Sequence, residues 1–161
     1  MKKKILFIVL GIILVVVIGG IALFSSLTKE KESMTSSEFK TLMESKGFVV
    51  SDSTSQFSQY GYIEQVYVAV PSGYAYQIEF YELSDEEYAI SFYNNNKSIF
   101  ESSKGNDSAE TSVSMKNYSK YTLSTGGKYK VVSRINNTVV YLNVDSSHKD
   151  TVKDLLKELG Y

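Results

Sequence analysis

The sequence TSVSMKNYSKYTLSTGGKYKVVSRINNTVVYLNVD, residues 111–145, carries the clearest architectural signal in the chain. It is rich in β-branched and aromatic residues, and the pairs Gly126-Gly127 and Asn136-Asn137 interrupt it. Gly-Gly accommodates the positive φ angles of a two-residue hairpin turn, and Asn-Asn tolerates them at a higher cost. The pattern predicts three antiparallel strands: Thr111 to Ser124, Lys128 to Ile135, and Thr138 to Asp145 with Val140, Leu142 and Val144 facing the core.

A second meander is predicted earlier in the chain. Within the stretch Tyr74 to Leu83, the residues Tyr76, Ile78 and Phe80 alternate with polar ones. This period of two is typical of a strand with one buried face. Two further strands are predicted before it, Phe48 to Asp52 and Tyr62 to Val70, and Pro71-Ser72-Gly73 supplies the last turn.

Three amphipathic helices are predicted around these strands. Each of the first two begins with a capping box, in which a Ser or Thr and a Glu three residues later cap each other's main-chain N–H groups. The helices run from Thr35 to Gly47, from Ser84 to about Ser103 and from Ser147 to Leu159, and the capping carboxylates are Glu38 and Glu87. One face of the second helix collects Ala89, Phe92, Tyr93, Asn96, Ile99 and Phe100.

The resulting order is helix, three strands, helix, three strands, helix. It predicts an α+β domain over residues 35–161, with a mostly antiparallel sheet of five or six strands and about three helices, packed mainly on one face. Duplication of a helix-plus-meander unit is one explanation of this order, because a shift of 113 residues aligns residues 39–48 with residues 152–161. Chance similarity between amphipathic helices that end at Gly is the other.

The stretch Ile5 to Leu27 contains no charged residue, and 17 of its 23 positions are Leu, Ile, Val or Phe. As a helix it would be about 34 Å long, enough to cross a hydrocarbon core of about 30 Å. Lys2, Lys3 and Lys4 precede it, and positive charge favours the cytoplasmic side. We therefore expect a cytoplasmic segment over 1–4, a transmembrane signal-anchor helix over 5–27, a short charged linker over 28–34, and residues 28–161 outside the cytoplasm.

A cleaved signal peptide is the main alternative for this segment. The apolar core of a signal peptide is usually about 7–15 residues long and ends in a site with small residues, whereas this run is longer and ends in a poor site around Leu23 and Ser25. The chain has no cysteine, which excludes a lipoprotein signal, a disulfide framework and a thiolate nucleophile. A retained single span is therefore favoured.

Composition and charge exclude some classes of partner. Lysine outnumbers arginine sixteen to one, which together with the absence of cysteine is typical of exported proteins of low-GC Gram-positive bacteria. The part after the predicted span has 14 basic and 18 acidic residues, a net charge of −4. A weakly acidic domain is a poor candidate for binding nucleic acid or anionic lipid headgroups.

The sequence contains no recognisable catalytic constellation. Its single histidine, His148, stands at the start of the last helix, without a nucleophile or orienting carboxylate that the sequence could locate. The acidic run Asp85 to Glu87 has a structural explanation, because carboxylates in a first helical turn interact favourably with the helix dipole. We expect no catalytic, metal-binding or cofactor-binding residue, and no cofactor.

The 13 tyrosines, in a chain without tryptophan, are the remaining unusual feature. Tyrosine suits a half-buried sheet, which explains most of them. An exposed aromatic strip would instead bind a peptide, a glycan or a protein, since tyrosine offers contact area and a hydroxyl at low entropic cost. Tyr67 and Tyr81 are predicted to leave the core and contribute to such a binding face.

The leading functional hypothesis is a membrane-anchored bacterial protein whose exported domain binds another envelope component, a protein, peptide or glycan, without catalysis. The absence of catalytic patterns and the short linker motivate it. One alternative is an exported enzyme using carboxylate or Ser/Tyr chemistry. Another is an assembly subunit of a membrane complex.

Overall fold

Seven strands form one antiparallel sheet in the computed structural model, which describes residues 30–161. The strands are β1 (Val49–Asp52), β2 (Ile63–Val70), β3 (Ile78–Leu83), β4 (Ala109–Ser114), β5 (Tyr118–Thr125), β6 (Lys128–Ile135) and β7 (Thr138–Asp145). Their spatial order is β1-β2-β3-β7-β6-β5-β4. Two meanders, β1 to β3 and β4 to β7, therefore meet where β3 pairs with β7.

The expected five or six strands become seven because one predicted strand is two. The stretch Thr111 to Ser124 turns back on itself at residues 115–117, where the Met115 N–H donates to the carbonyl oxygen of Tyr118 at 2.7 Å. This turn contains neither Gly nor Pro, so the pattern of β-forming residues runs through it unbroken. By contrast, Gly126 and Gly127 both have the positive φ angles that their hairpin requires.

Three helices accompany the sheet within residues 30–161: α1 (Ser36–Ser45), α2 (Glu86–Ser102) and α3 (Lys149–Glu158). The α+β class and the number of helices are therefore confirmed. The capping box of α1 is also confirmed, since the Glu38 N–H donates to Thr35 Oγ1 at 3.2 Å and the Thr35 N–H donates to Glu38 Oε2 at 2.7 Å. Within this part of the chain, no helix is long and apolar enough to cross a membrane.

The predicted capping box at the start of α2 is wrong. The cap is Asp85, whose Oδ1 accepts from the N–H of Tyr88 at 2.9 Å. Ser84 lies one residue too early, because its N–H still donates to the carbonyl oxygen of Tyr62 at 3.0 Å in the manner of a strand. The helix therefore begins only after the chain has left the sheet.

Helices cover both faces of the sheet, so the expectation that they pack mainly on one face is wrong. We call the face under α1 and α3 the first face and the face under α2 the second face. Phe39 of α1 and Leu156 of α3 belong to the core of the first face, and Ala89 of α2 belongs to the core of the second. Neighbouring residues of β7, Val139 and Val140, are both fully buried because they point to opposite faces.

The core residues predicted for β7 are confirmed. Val140, Leu142 and Val144 of β7 pack on the first face, where four apolar residues of the last helical segment meet them: Val152, Leu155, Leu156 and Leu159. The observed order is α-βββ-α-ββββ-α, which is not a simple repeat. The aligned residues 39–48 and 152–161 belong to the segments of α1 and α3, which pack on the same face of the sheet, whereas α2 packs on the other.

The compact unit begins at Lys31, four residues before the predicted boundary of the domain. The Lys31 N–H donates to Asn117 Oδ1 at 3.1 Å, and Asn117 Nδ2 donates to the Lys31 carbonyl oxygen at 2.8 Å. Met34 packs against the core of the first face. The last four residues of the predicted linker, 31–34, are thus part of the folded unit. The predicted segments 1–4 and 5–27 and the start of the linker lie outside the described residues.

Candidate functional site

Tyr67 and Tyr81, the two residues predicted to form a binding face, lie on opposite faces of the sheet. Tyr67 pairs with Phe80 and is half-buried against the core of the first face. Tyr81 is only 4% exposed and belongs to the core of the second face, so the prediction that it leaves the core is wrong. The physical reason is α2, which covers the side of β3 that the sequence pattern marked as polar.

A groove on the second face gathers several other tyrosines around Tyr81. It has a volume of about 510 Å³ and lies between α2, the start of β2 and the 3-10 turn Thr54–Phe57. Its described lining is free of charged residues and consists of Phe57, Tyr60, Tyr62, Ile63, Tyr81, Tyr88, Ser91, Phe92, Asn95, Asn96 and Ile99. We call it the aromatic groove.

The floor of the aromatic groove is a set of packed rings. The centroid of the Tyr81 ring lies 4.6 Å from that of Phe92 and 5.6 Å from that of Phe57, which meets it edge-on at 86°. The Tyr81 hydroxyl donates to Glu79, and burial, followed by the charge of Glu79, raises the pKa of Tyr81. The phenol therefore stays protonated at neutral pH, as an apolar surface with a hydrogen-bonded tip.

One wall of the groove is a stack of tyrosines. The rings of Tyr62 and Tyr88 lie 4.7 Å apart and within 12° of parallel, and Tyr60 lies beside Tyr62 at 5.9 Å. Tyr60 and Tyr88 are among the exposed large side chains of the described unit. Such ring pairs contribute about 0.5–1.5 kcal/mol beyond their buried area, so the wall is held in place while one side of it stays open to solvent.

The 3-10 turn that forms the other wall is anchored to β2 by Thr54. The Oγ1 atom of Thr54 accepts from the Val66 N–H at 3.0 Å and from Gln65 Nε2 at 2.7 Å, and donates to Asp52 Oδ1 at 2.6 Å. These bonds fix the Ser/Gln-rich segment between β1 and β2. They place Phe57 over Tyr81.

The rim of the groove combines aliphatic and amide side chains. Ile99 of α2 is 61% exposed, although its helical position predicted an inward orientation. Asn96 donates its Nδ2 to the Phe92 carbonyl oxygen at 2.9 Å, which leaves its Oδ1 available to a ligand. Asn95 and Ser91 are exposed beside it. The groove therefore suits an uncharged ligand that is largely apolar and carries a few hydrogen-bonding groups.

The residues considered earlier for chemistry have structural roles. The ring of His148 lies 4.9 Å from that of Tyr76. Asp85 caps α2, and Glu86 accepts from the buried Arg134 Nη1 at 2.7 Å. Among the described residues, no group of three or more His, Asp or Glu side chains is placed to hold a metal ion.

The abundance of tyrosine was the signal in the sequence that pointed toward the groove, since Tyr60, Tyr62 and Tyr81 belong to its lining. Nothing in the sequence indicated that Tyr88 and Ile99 of α2 would join them, because helix and meander meet only in the folded domain. No protein-family model, curated protein or solved structure matches the chain. The geometry of the groove therefore has to carry the functional argument alone.

Proposed function

We propose that this chain is a single-pass membrane protein whose extracytoplasmic domain binds a partner protein of the cell envelope through the aromatic groove. The observation that carries the proposal is the groove itself: exposed aromatic and aliphatic side chains with no charge among the described residues that line it. Apolar patches of this kind mark interaction sites, and interface cores are depleted of charge and enriched in Tyr and Phe.

The partner presents an uncharged segment with apolar anchor residues. Without a compensating ion pair, burying a charged side chain against this lining would cost on the order of several kcal/mol. The exposed Ile99 favours a protein over a glycan, because an aliphatic side chain offers no hydrogen bond to sugar hydroxyls. Ser91, Asn95 and Asn96 fit the main-chain amides of a bound peptide.

Binding without catalysis is supported by what lines the groove. General acid–base chemistry needs a group that titrates near the working pH, and the aromatic groove offers only tyrosine hydroxyls. Burial raises the pKa of Tyr81, the tyrosine at its floor, and so moves that hydroxyl away from a role as a base. An exported enzyme using carboxylate or Ser/Tyr chemistry stays the alternative prediction.

The membrane anchor and the orientation are supported by the sequence. The 23 uncharged residues Ile5 to Leu27, with Lys2 to Lys4 before them, favour a retained span with the N-terminus in the cytoplasm. Only residues 28–30 separate the predicted span from the folded unit, which fits a partner close to the outer surface of the membrane.

The groove is tested with the full-length chain in detergent micelles, labelled with ¹³C at isoleucine methyl groups. The probes are the capped dipeptide acetyl-Leu-Phe-amide and the neutral sugar chitotetraose. We expect the dipeptide to shift the methyl signals of Ile63 and Ile99 saturably, and to leave that of Ile90, which is outside the groove lining, unchanged. Chitotetraose should leave all three unchanged.

Two neighbouring amides of α2 supply a matched pair of variants. Asn95 lines the groove, whereas Asn94 is exposed beside it and does not. Asn95→Asp should weaken dipeptide binding, because it places an unpaired charge in the uncharged groove, and Asn94→Asp should not. Binding of chitotetraose alone would assign the groove to glycans instead, and unchanged Ile63 and Ile99 signals with both probes would refute it as a binding site.

A further inference from the structure

A second groove, on the first face, is lined by lysines. It has a volume of about 430 Å³ and lies between α3 and the β4–β5 hairpin. The charged residues among its described lining are all basic: Lys31, Lys120, Lys153 and Lys157. Thr111 and Thr122, which are partners in the β4–β5 register, add two hydroxyl groups. We call it the lysine groove.

Two of the ammonium groups are held in place by main-chain oxygen atoms. Lys31 Nζ donates to the main-chain oxygen of Gly160 at 2.7 Å and lies 3.8 Å from the centroid of the Tyr118 ring. Lys120 Nζ donates to the main-chain oxygen of Tyr161 at 3.1 Å. These contacts fix the position of the two positive charges, and the carbonyl group of Gly160 does so without neutralising Lys31.

Charge in the lysine groove is poorly compensated. Burial, and then the nearby Lys31 and Lys153, lower the pKa of Lys120, as expected where like charges converge. The carboxylate nearest to Lys153 is Asp150 at 3.9 Å, and its side chain is 94% exposed, so this pair contributes little. Even with one negative charge on the carboxyl group of Tyr161, the four lysines leave positive charge in excess.

We propose that the lysine groove binds the phosphate group of an anionic lipid in the membrane that anchors the chain. Several ammonium donors and two threonine hydroxyls, converging on one small concavity, match the oxygen atoms of a phosphate. The proposal differs from the expectation drawn from the net charge of −4, because binding depends on where charge is concentrated and not on its sum.

The inference rests on the proposed membrane anchor, and chain length connects the two. Only residues 28–30 separate the predicted span from Lys31. Four extended steps from Leu27 to Lys31 cover at most about 14 Å. The headgroup layer occupies about 5–8 Å of that distance, so Lys31 lies within reach of lipid phosphates.

The test uses the full-length chain in lipid nanodiscs and measures the acetylation rate of each lysine by mass spectrometry. In discs containing phosphatidylglycerol, Lys120 and Lys157 should react roughly tenfold more slowly than in phosphatidylcholine discs, as mass action gives when the lipid is about ten times its dissociation constant. Lys97 of α2, on the second face, controls for general attraction to an anionic surface and should change little. The double variant Lys153→Gln, Lys157→Gln should remove the protection of Lys120, whereas Lys97→Gln should not.

Each other outcome would overturn part of the inference. Equal protection by inorganic phosphate or by soluble poly(glycerol phosphate) in phosphatidylcholine discs would assign the groove to a soluble phosphate or to an anionic polymer. Equal rates in both kinds of disc would refute the phosphate site while leaving the anchor intact. A chain that fails to co-elute with the discs would refute the anchor, and the lipid assignment with it. None of these results bears on the aromatic groove.

Discussion

Asn117 joins the start of the folded unit to the turn between β6 and β7. It is 5% exposed, bonds both main-chain groups of Lys31, and donates to Asn136 Oδ1 at 2.8 Å in the turn between β6 and β7. A buried amide with this many partners is costly to remove, because every partner would lose its hydrogen bond. Asn117 thus sets where the folded unit begins.

Replacement of Asn117 by alanine tests this role. Asn117→Ala should lower the free energy of unfolding by about 1–3 kcal/mol, because it leaves polar groups of Lys31 and Asn136 unpaired. The control is Asn94→Ala at an exposed position, where a change within about 0.5 kcal/mol is expected. Urea unfolding of the full-length chain in micelles measures both, and equal stability of the two variants would contradict the role.

Tyr121 carries a second residue-scale effect, one that depends on pH. Its hydroxyl donates to Glu110 Oε2 at 2.5 Å, and Lys104 pairs with the same carboxylate at 2.5 Å. Burial, followed by the hydrogen bond to Glu110 and its charge, raises the pKa of Tyr121 to about 12. The Tyr121 hydroxyl of the folded state therefore keeps a proton that the unfolded state loses at about pH 10.

The free energy of unfolding should fall as the pH rises from about 10 to about 12, since over this range the unfolded state binds fewer protons than the folded state. Tyr121→Phe should make this decline shallower. The variant lacks the Tyr121 phenol, so the difference in bound protons between the folded and unfolded states falls by about one. Denaturant unfolding at a series of pH values measures the slope, and the slope near neutral pH serves as the internal control. An alkaline slope identical to that of the unmodified chain would contradict the assignment.

At the scale of elements, the start of α2 shows how a sheet contact shifts a helix boundary. Ser84 is a good capping residue by type, yet its N–H is engaged with Tyr62 and the helix starts one residue later. Asp85→Ala should therefore cost about 1 kcal/mol of stability by removing the cap. Ser84→Ala keeps the main-chain bond and should cost less than about 0.5 kcal/mol. Thermal or urea unfolding decides between the two, and a larger loss for Ser84→Ala would restore the original capping box.

Elements could be predicted where their signals are local. The capping box at Thr35, the Gly126-Gly127 hairpin and the alternation along β7 depend on neighbours in sequence, and all three are observed. The turn between β4 and β5 has no such local mark and was missed. The start of β3 is also later than predicted. The composition of residues 74–77 suits a strand, but Tyr74 adopts φ 56° and the strand begins at Ile78.

At the scale of the whole molecule, the proposed membrane topology predicts which side of the membrane the folded unit occupies. A cysteine in place of the exposed Asp107 should react with a membrane-impermeant maleimide in intact cells, since residues 28–161 are expected outside. A cysteine in place of Ser53, which is 8% exposed, is the matched control and should react only after unfolding. Reaction of the Asp107→Cys variant only after lysis would reverse the proposed orientation.

The character of each segment could be read along the chain: the apolar run of the predicted span, the strand and helix periods, the cap of α1 and most of the core residues. The side of the sheet on which each helix packs could not be predicted. Whether a strand is buried on one face or on both depends on which helices cover it, and these helices are distant in sequence. Tyr81 shows the consequence. It lies on the side of β3 that the sequence marks as polar, yet α2 covers that side and Tyr81 forms the floor of a groove. Both candidate sites join residues far apart in sequence, Tyr62 with Tyr88 and Lys31 with Lys157, and only the packing of helices against the sheet brings them together. Local interactions select the elements, whereas long-range burial of apolar surface decides which of them meet.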